Sequence, residues 1–179
     1  DMNGDSISAN DLIYIPRSTS EMNFSPFTVG TRTFSADEQA TAFEAYEAQS
    51  NPWGLPADSR GEWARALGVP VVTDAAAVRD IDYLFYVGSA ESFDPRGQKI
   101  ARAFVRILQQ AGVRFAILGA AEGSTGECVR RVGNEMLFRE LATKLAATLG
   151  ELGVRRIVTC DPHALNSLRN EYPELGLDV

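Results

Sequence analysis

The stretch that decides the fold is YLFYVGSAE, residues 83–91, in which five aromatic or aliphatic residues end at a small polar turn. Two further stretches repeat the pattern, FAILG at residues 115–119 and RIVTC at residues 156–160. Short β-branched or aromatic runs that end at turn residues are typical of buried strands. Stretches of helical period lie between them. This alternation predicts the α/β class: a small, parallel, Rossmann-like βαβαβ sheet with helices packed on it in layers.

Capping signals indicate where the helices begin. Ser35 and Glu38 form a capping box, in which each side chain accepts a backbone N–H of the other residue, and they open a helix to about residue 49. Asp94 and Pro95 suit the start of a long helix, as N-cap and first helical residue. Further helices are predicted over residues 60–67, 128–149 and 163–172.

Apolar spacing predicts which faces of the two long helices are buried. For the helix after Asp94 the predicted stripe is Ile100, Phe104, Ile107, Leu108 and Ala111. For residues 128–149 the predicted stripe is Val132, Leu137, Leu141, Leu145 and Leu149.

The charge is unevenly distributed along the chain. Residues 1–50 carry eight acids and two arginines, whereas residues 51–179 carry sixteen acids and fifteen bases. A near-neutral body without a basic stripe argues against nucleic acid as a partner. No apolar run reaches the length of a membrane span, and two cysteines are too few for a disulfide framework. We therefore expect a cytoplasmic location, with contact to the inner face of the membrane only through partners.

The N-terminal segment differs from the rest in composition. Residues 12–16 predict an edge strand, and residues 17–33 a loop. Three of its phrases resemble the carboxyl-terminal region of TonB-dependent outer-membrane receptors: DLIYIPR, SEMNF and FEAY. We therefore predict that residues 1–49 form a poorly packed appendage of foreign origin. Residues 50–179 are predicted to form the α/β domain.

Residues 50–179 resemble the cysteine-rich CCG domain of heterodisulfide-reductase-like iron–sulfur oxidoreductases, which include glycolate-oxidase iron–sulfur subunits. The phrases that carry the resemblance are NPWG, AGVRFAILG, RRVGNE, PHALN and NEYP. In that family a single cysteine follows the first strand. A Cys-Cys or Cys-Thr-Gly element follows the second strand, and a Cys-x-x-Cys element follows the third. Those cysteines are ligands of an iron–sulfur cluster.

The resemblance implies that the ligand positions of this chain have lost their sulfur. The residues at those positions are Ser89, Ser124, Thr125, Asp161 and Ala164. Iron–sulfur clusters require thiolate donors, so we expect no cofactor and no metal in this chain. Because the carboxyl ends of parallel strands share one edge, these positions should converge.

The turns around these positions supply the remaining pocket candidates, which are Gly88, Glu122, Gly126, Arg130, Arg131, Asn134, Cys160 and His163. Several have two interpretations. His163 could make a structural hydrogen bond or transfer a proton. Asp161 could cap the last helix or face the pocket. Glu122 could be a buried acid or a turn carboxylate. Arg130 and Arg131, placed where a helix begins, should need an acidic partner.

No nucleotide-binding or nucleophile-elbow motif follows any strand, so we assign no catalytic residue. The family often has two CCG domains in tandem. The resemblance therefore implies a fragment of an iron–sulfur oxidoreductase subunit: a cluster-free scaffold beside a cluster-bearing second CCG domain and a ferredoxin-like domain, with a 4Fe-4S cluster in the intact protein. Two alternatives remain open at this point, a module that binds a small anion and a non-functional chimera of two coding fragments.

Overall fold

The computed structural model describes residues 27–29, 32–177 and 179, and up to residue 34 only their backbone. The strands are β1 (Phe27–Val29), β2 (Arg32–Phe34), β3 (Tyr83–Phe85), β4 (Phe115–Ala116) and β5 (Ile157–Val158). The α-helices are α1 (Ala36–Gln49), α2 (Ala75–Arg79), α3 (Ser89–Phe93), α4 (Pro95–Gln110), α5 (Glu127–Arg131), α6 (Glu135–Leu152), α7 (Pro162–Asn166) and α8 (Tyr172–Glu174). Two 3₁₀ helices, Ala57–Leu67 and Gly119–Ala121, and a π turn, Ser167–Glu171, complete the described elements.

The central sheet has the order β4-β3-β5, and both pairings are parallel. Val71 adds a parallel bridge to Ile117, beyond β4. These findings confirm the predicted parallel α/β sheet. The strands are shorter than predicted. Beyond β3 the pairing stops because the Val87 N–H donates to the carboxylate of Glu122 rather than to a neighbouring strand.

Apolar cores cover both faces of the sheet, which makes three layers. On one face Leu84 and Tyr86 pack against α6 and α7 through residues that include Phe138, Leu145 and Ala164. On the other face Phe85 packs against α4 and the first 3₁₀ helix through residues that include Trp63, Ala101 and Val105. Within the described part of the chain, no helix is both long enough and apolar enough to cross a bilayer.

The stripe predicted for α4 is only partly correct. Leu108 is buried, but Ile100 and Ile107 are 50% and 60% exposed, while Ala101 and Val105 face the core instead. The cause is a close approach of two helices, since any side chain at Gly97 would collide with the Ala90 carbonyl of α3. This contact fixes the rotation of α4 about its axis.

The helix predicted over residues 128–149 is two helices. Gly133 has a φ of +92°, in the left-handed region, and Asn134 caps α6 by accepting the N–H of Leu137 at 3.1 Å. Arg130 and Arg131 therefore lie in the last turn of α5, where positive charge suits the helix dipole. The expectation that they begin a long helix is wrong.

Two other predicted boundaries are also wrong. The last helix continues past residue 172 because the π turn restarts the backbone register, so Pro173 falls in the first turn of α8, where no N–H is required. The predicted loop over residues 17–33 contains β1 and the start of β2, which form an antiparallel pair. The edge strand predicted at residues 12–16 lies outside the described residues.

Helix α1 contacts the body of the chain. Its capping box is present as predicted, and its buried Tyr46 packs with Val129, Leu137 and Leu141, with the partly buried Phe43 beside them. Helix α1 is thus packed on the body of the chain through this patch, and the poorly packed appendage over residues 1–49 stays a prediction. The domain boundary after residue 49 stays a prediction.

We expect Tyr46→Ala to lower the free energy of unfolding by about 2–4 kcal/mol, because a buried aromatic ring is lost from an apolar cluster. Glu47→Ala, which changes an exposed residue of the same helix, should alter it by less than about 0.5 kcal/mol. Urea denaturation of both variants measures the difference. Equal stability of the two variants would show that α1 is not docked.

Candidate functional site

A cavity of about 410 Å³ opens at the carboxyl edge of the sheet. It brings together four of the five predicted ligand positions, Ser89, Ser124, Thr125 and Asp161, although they come from three separate strand ends. The other lining residues are Tyr46, Pro52, Trp53, Tyr86, Ala90, Glu91, Glu127, Cys128, Arg131, Pro162 and His163. Ala164 is fully buried in the core beside it. Their assignment as former ligand positions stays a prediction.

A buried ion pair supports the first strand end. Arg60 Nη1 lies 3.2 Å from Glu122 Oε1, and both side chains are almost completely buried. The Glu122 carboxylate also accepts the N–H groups of Val87 and Gly88, each at 2.9 Å. Burial raises the pKa of Glu122, whereas Arg60 and the two N–H groups oppose that rise. Glu122 is therefore a buried acid that fixes the turn after β3.

Arg60 also ties two segments to this pair. Its Nη2 donates to the Ser50 carbonyl at 2.8 Å and to Ser89 Oγ at 3.2 Å. The Ser50 hydroxyl in turn accepts the N–H of Ser124 at 2.8 Å. The Ser89 side chain and the Ser124 backbone N–H are thus part of one hydrogen-bond network.

The other two strand ends are also held by hydrogen bonds. Ser124 Oγ accepts the N–H of Gly126 at 3.0 Å, and the Thr125 carbonyl accepts the Tyr172 hydroxyl at 3.1 Å. Asp161 Oδ1 accepts the N–H groups of His163 and Ala164 at 2.9 and 3.2 Å. Asp161 thus caps α7 and also faces the cavity, so both of its interpretations hold.

The pocket candidates divide into three groups. Arg131 and His163 line the cavity, and His163 Nδ1 lies 3.4 Å from Glu127 Oε1. Behind its wall lie Gly88, Glu122 and Gly126. Both glycines have a positive φ; Gly88 lies close to Asp161, and Gly126 lies close to Phe138. Arg130, Asn134 and Cys160 do not line it. Arg130 instead pairs with Glu135, Glu171 and Glu174 and lies over the ring of Phe138.

Sequence reasoning did not single out Arg60, Glu91 or the aromatic wall of Tyr46, Trp53 and Tyr86. Arg60 occurs 29 residues before its partner Ser89 and 62 before Glu122, so no local spacing marks it. Glu91 was within reach of sequence analysis, since it follows the same strand as Ser89.

Two carboxylates meet beside Gly88. Asp161 Oδ2 and Glu91 Oε2 lie 2.9 and 3.2 Å from the point where a Cβ on Gly88 would sit. Glu91 is only 9% exposed, and its Oε2 has no hydrogen-bond partner among the described residues. Burial raises the pKa of Glu91, and the Asp161 carboxylate raises it further.

The residues at this edge do not fit an iron–sulfur cluster, which needs thiolate ligands. The chain has two cysteines. Cys128 lines the cavity, where the surrounding protein raises the pKa of its thiol to about 11. Burial, with the Glu91 carboxylate nearby, raises the pKa of Cys160 to about 11. Among the described residues, no group of three or more His, Cys, Asp or Glu side chains could hold a metal ion.

The fold and this edge define a small parallel α/β domain with a cavity at the carboxyl ends of its strands. The chain is 45% identical over 141 residues to a probable iron–sulfur-binding oxidoreductase of Bacillus subtilis, a match that covers 76% of this chain and 20% of that protein. It is 36% identical over 141 residues to an EtfAB:quinone oxidoreductase of Syntrophomonas wolfei, covering 78% of this chain and 20% of the relative. A probable membrane-anchored ferredoxin of Chromohalobacter salexigens is 38% identical over 128 residues, a match that covers 72% of this chain and 18% of that protein.

The chain thus has homologues that are named as an iron–sulfur-binding oxidoreductase, a quinone oxidoreductase and a ferredoxin, and it spans about a fifth of the length of these curated relatives. No protein-family profile matches the chain. No solved structure matches it. The CCG assignment therefore stays a prediction, and the resemblance to TonB-dependent receptors finds no support.

The buried ion pair makes a prediction about stability. We expect Arg60→Met to cost about 3–5 kcal/mol, since it leaves the Glu122 carboxylate buried without its cation. Adding Glu122→Gln to this variant should recover much of the loss. Arg114→Met, which breaks an exposed pair with Asp82, should leave the stability nearly unchanged, because solvent screens that pair. Chemical denaturation checks all three, and a double variant no more stable than Arg60→Met would contradict the pairing.

The raised pKa of Glu91 predicts how stability depends on pH. The folded chain holds the Glu91 proton more tightly than the unfolded chain, so this group stabilises the fold below its unfolded pKa of 4.5. That contribution is lost as the pH rises through the folded pKa. Glu91→Gln removes the titration. It should raise the melting temperature at about pH 7 and change it little at about pH 4.

The control for this comparison is Glu140→Gln, which neutralises an exposed carboxylate of α6. It should shift the melting temperature only slightly at both pH values. A Glu91→Gln variant that is less stable than the native chain at neutral pH would show that the Glu91 carboxylate has a favourable partner.

Proposed function

We propose that this chain is a cluster-free, CCG-type domain of a larger iron–sulfur oxidoreductase of the heterodisulfide-reductase-like group. Its role is to act as a scaffold that positions a cluster-bearing domain. The observation that carries the proposal is the set of residues at the carboxyl edge: serine, threonine and aspartate side chains where the family has cysteines, three of them committed to hydrogen bonds within the fold.

The homologues support the coarser part of this proposal. Each is about five times longer than the matched segment, and the first is named as iron–sulfur-binding. In the intact protein we expect a second, cysteine-bearing CCG domain and a ferredoxin-like domain, with the 4Fe-4S cluster in the partner domain. We expect it to work in the cytoplasm and to contact the membrane through its partners.

The cavity does not favour the alternative of an anion-binding module. Arg130, which would hold the anion, is engaged by carboxylates outside the cavity. Arg131 lines the cavity but contacts Glu127 and Glu171 at 2.7 and 2.6 Å. Glu91, Glu127 and Asp161 also line the cavity, and Arg131 is the one arginine among its described lining residues.

Anaerobic reconstitution tests the absence of a cluster. The chain is incubated with ferrous iron, sulfide and a thiol reductant, desalted, and analysed for iron, acid-labile sulfide and visible absorbance. We expect no bound iron above the level of a Cys128→Ser/Cys160→Ser variant treated in the same way. A stoichiometric iron and sulfide content that this variant loses would overturn the proposal.

Segment exchange tests the scaffold role. The matching segment of the Bacillus subtilis relative is replaced by this chain, and, in a second variant, deleted. We expect the exchanged protein to keep the iron content of the parent and the deletion variant to lose stability and bound iron. An exchange that removes iron in proportion to one cluster would show that this segment of the relative supplies ligands, and that this chain cannot replace it.

A further inference from the structure

The acidic side chains of the cavity differ in whether a positively charged side chain contacts them. Glu127 is neutralised by Arg131 at 2.7 Å and lies near His163. Glu91 has no cation in contact with it among the described residues, and one of its oxygens is buried without any hydrogen-bond partner. The charged groups that act on Glu91 include Asp161 and Glu122, which are both acidic.

A buried acceptor without a partner costs free energy, and like charges close together cost more. The cavity therefore carries a cost at Glu91 and Asp161 that a positively charged hydrogen-bond donor would remove. Because Asp161 Oδ1 already caps α7, its Oδ2 and the Glu91 carboxylate are the two acceptors that such a donor would meet.

The rest of the cavity suits an organic cation. Its lining includes the half-exposed ring of Trp53 and, behind it, the buried rings of Tyr46 and Tyr86. Ammonium and guanidinium groups bind favourably to aromatic rings. The volume of about 410 Å³ lies within the range for small-molecule sites. A metal ion is a poorer match, since no group of three ligating side chains is found among the described residues.

We propose that this cavity binds an ammonium or guanidinium group, held between the Glu91 and Asp161 carboxylates and the aromatic wall of Tyr46, Trp53 and Tyr86. The proposed site lies at the positions where the scaffold proposal expects no cluster. The observations that support the site do not depend on the scaffold role. Its ligand has the opposite charge to the anion that sequence analysis left open.

The test is a titration of the chain with three probes of one length, n-butylammonium, 1-butanol and butyrate, at matched ionic strength. Thermal melting and NMR chemical-shift changes are the readouts. We expect n-butylammonium alone to raise the melting temperature and to shift the indole N–H signal of Trp53. Equal responses to 1-butanol, or a stronger response to butyrate, would overturn the proposal.

Glu91→Gln separates binding from folding. It should bind n-butylammonium about tenfold more weakly, the loss expected for one hydrogen bond to a charged group, although it is not less stable than the native chain. Glu140→Gln is the matched control and should bind as the native chain does. If Glu91→Gln does not fold, Trp53→Leu replaces it, since Trp53 is 49% exposed and its loss should spare the core. Unchanged affinity in the folded variant would overturn the proposal.

A fourth probe identifies the source of the cation. Nα-acetyl-lysine methylamide presents the same ammonium group on a peptide unit. Tighter binding of this probe than of n-butylammonium assigns the natural cation to a side chain of a protein partner. Weaker binding assigns it to a free amine. Failure of both probes to bind would overturn the site and leave the cluster-free scaffold proposal unaffected.

Discussion

The buried contact between Arg60 and Glu122 is the constraint on which the carboxyl edge depends. One carboxylate holds the backbone of the turn after β3, and one guanidinium reaches Ser50, Ser89 and that carboxylate. Neither group could be buried alone, because an unpaired charge in the interior is strongly destabilising. The pair therefore joins the segment after α1, the first 3₁₀ helix and two strand ends into a single unit.

This network of hydrogen bonds holds the carboxyl edge together. In a cluster-bearing site the ligand bonds connect the turns. Here the turns are connected by hydrogen bonds from Arg60 to Ser89 and Glu122, and from the backbone N–H groups of Val87 and Gly88 to Glu122. Ser124 and Asp161 each accept a backbone N–H within their own turn. These bonds fix the walls of the cavity, but one oxygen of the Glu91 carboxylate has no hydrogen-bond partner among the described residues. This unpaired carboxylate is the basis of the proposed preference for a cation.

Sequence reasoning recovered the parts of the fold that follow from local pattern. The three strands, the capping box at Ser35 and the caps at Asp94 and Asp161 are set by neighbouring residues. Two of the failures have long-range causes. The exposed face of α4 follows from the contact at Gly97, and the role of Arg60 follows from partners 29 and 62 residues away. The convergence of Ser89, Ser124 and Asp161 could be predicted because parallel topology places all strand ends together.

The central claim is that the carboxyl edge is organised by the Arg60–Glu122 pair and holds no iron. The most direct measurement is diffraction at the iron absorption edge from crystals of the chain grown anaerobically with iron and sulfide. The account predicts no anomalous peak at the carboxyl edge, with Arg60 and Glu122 in direct contact. An iron peak among Ser89, Ser124 and Asp161, with the ion pair broken or displaced, would contradict it.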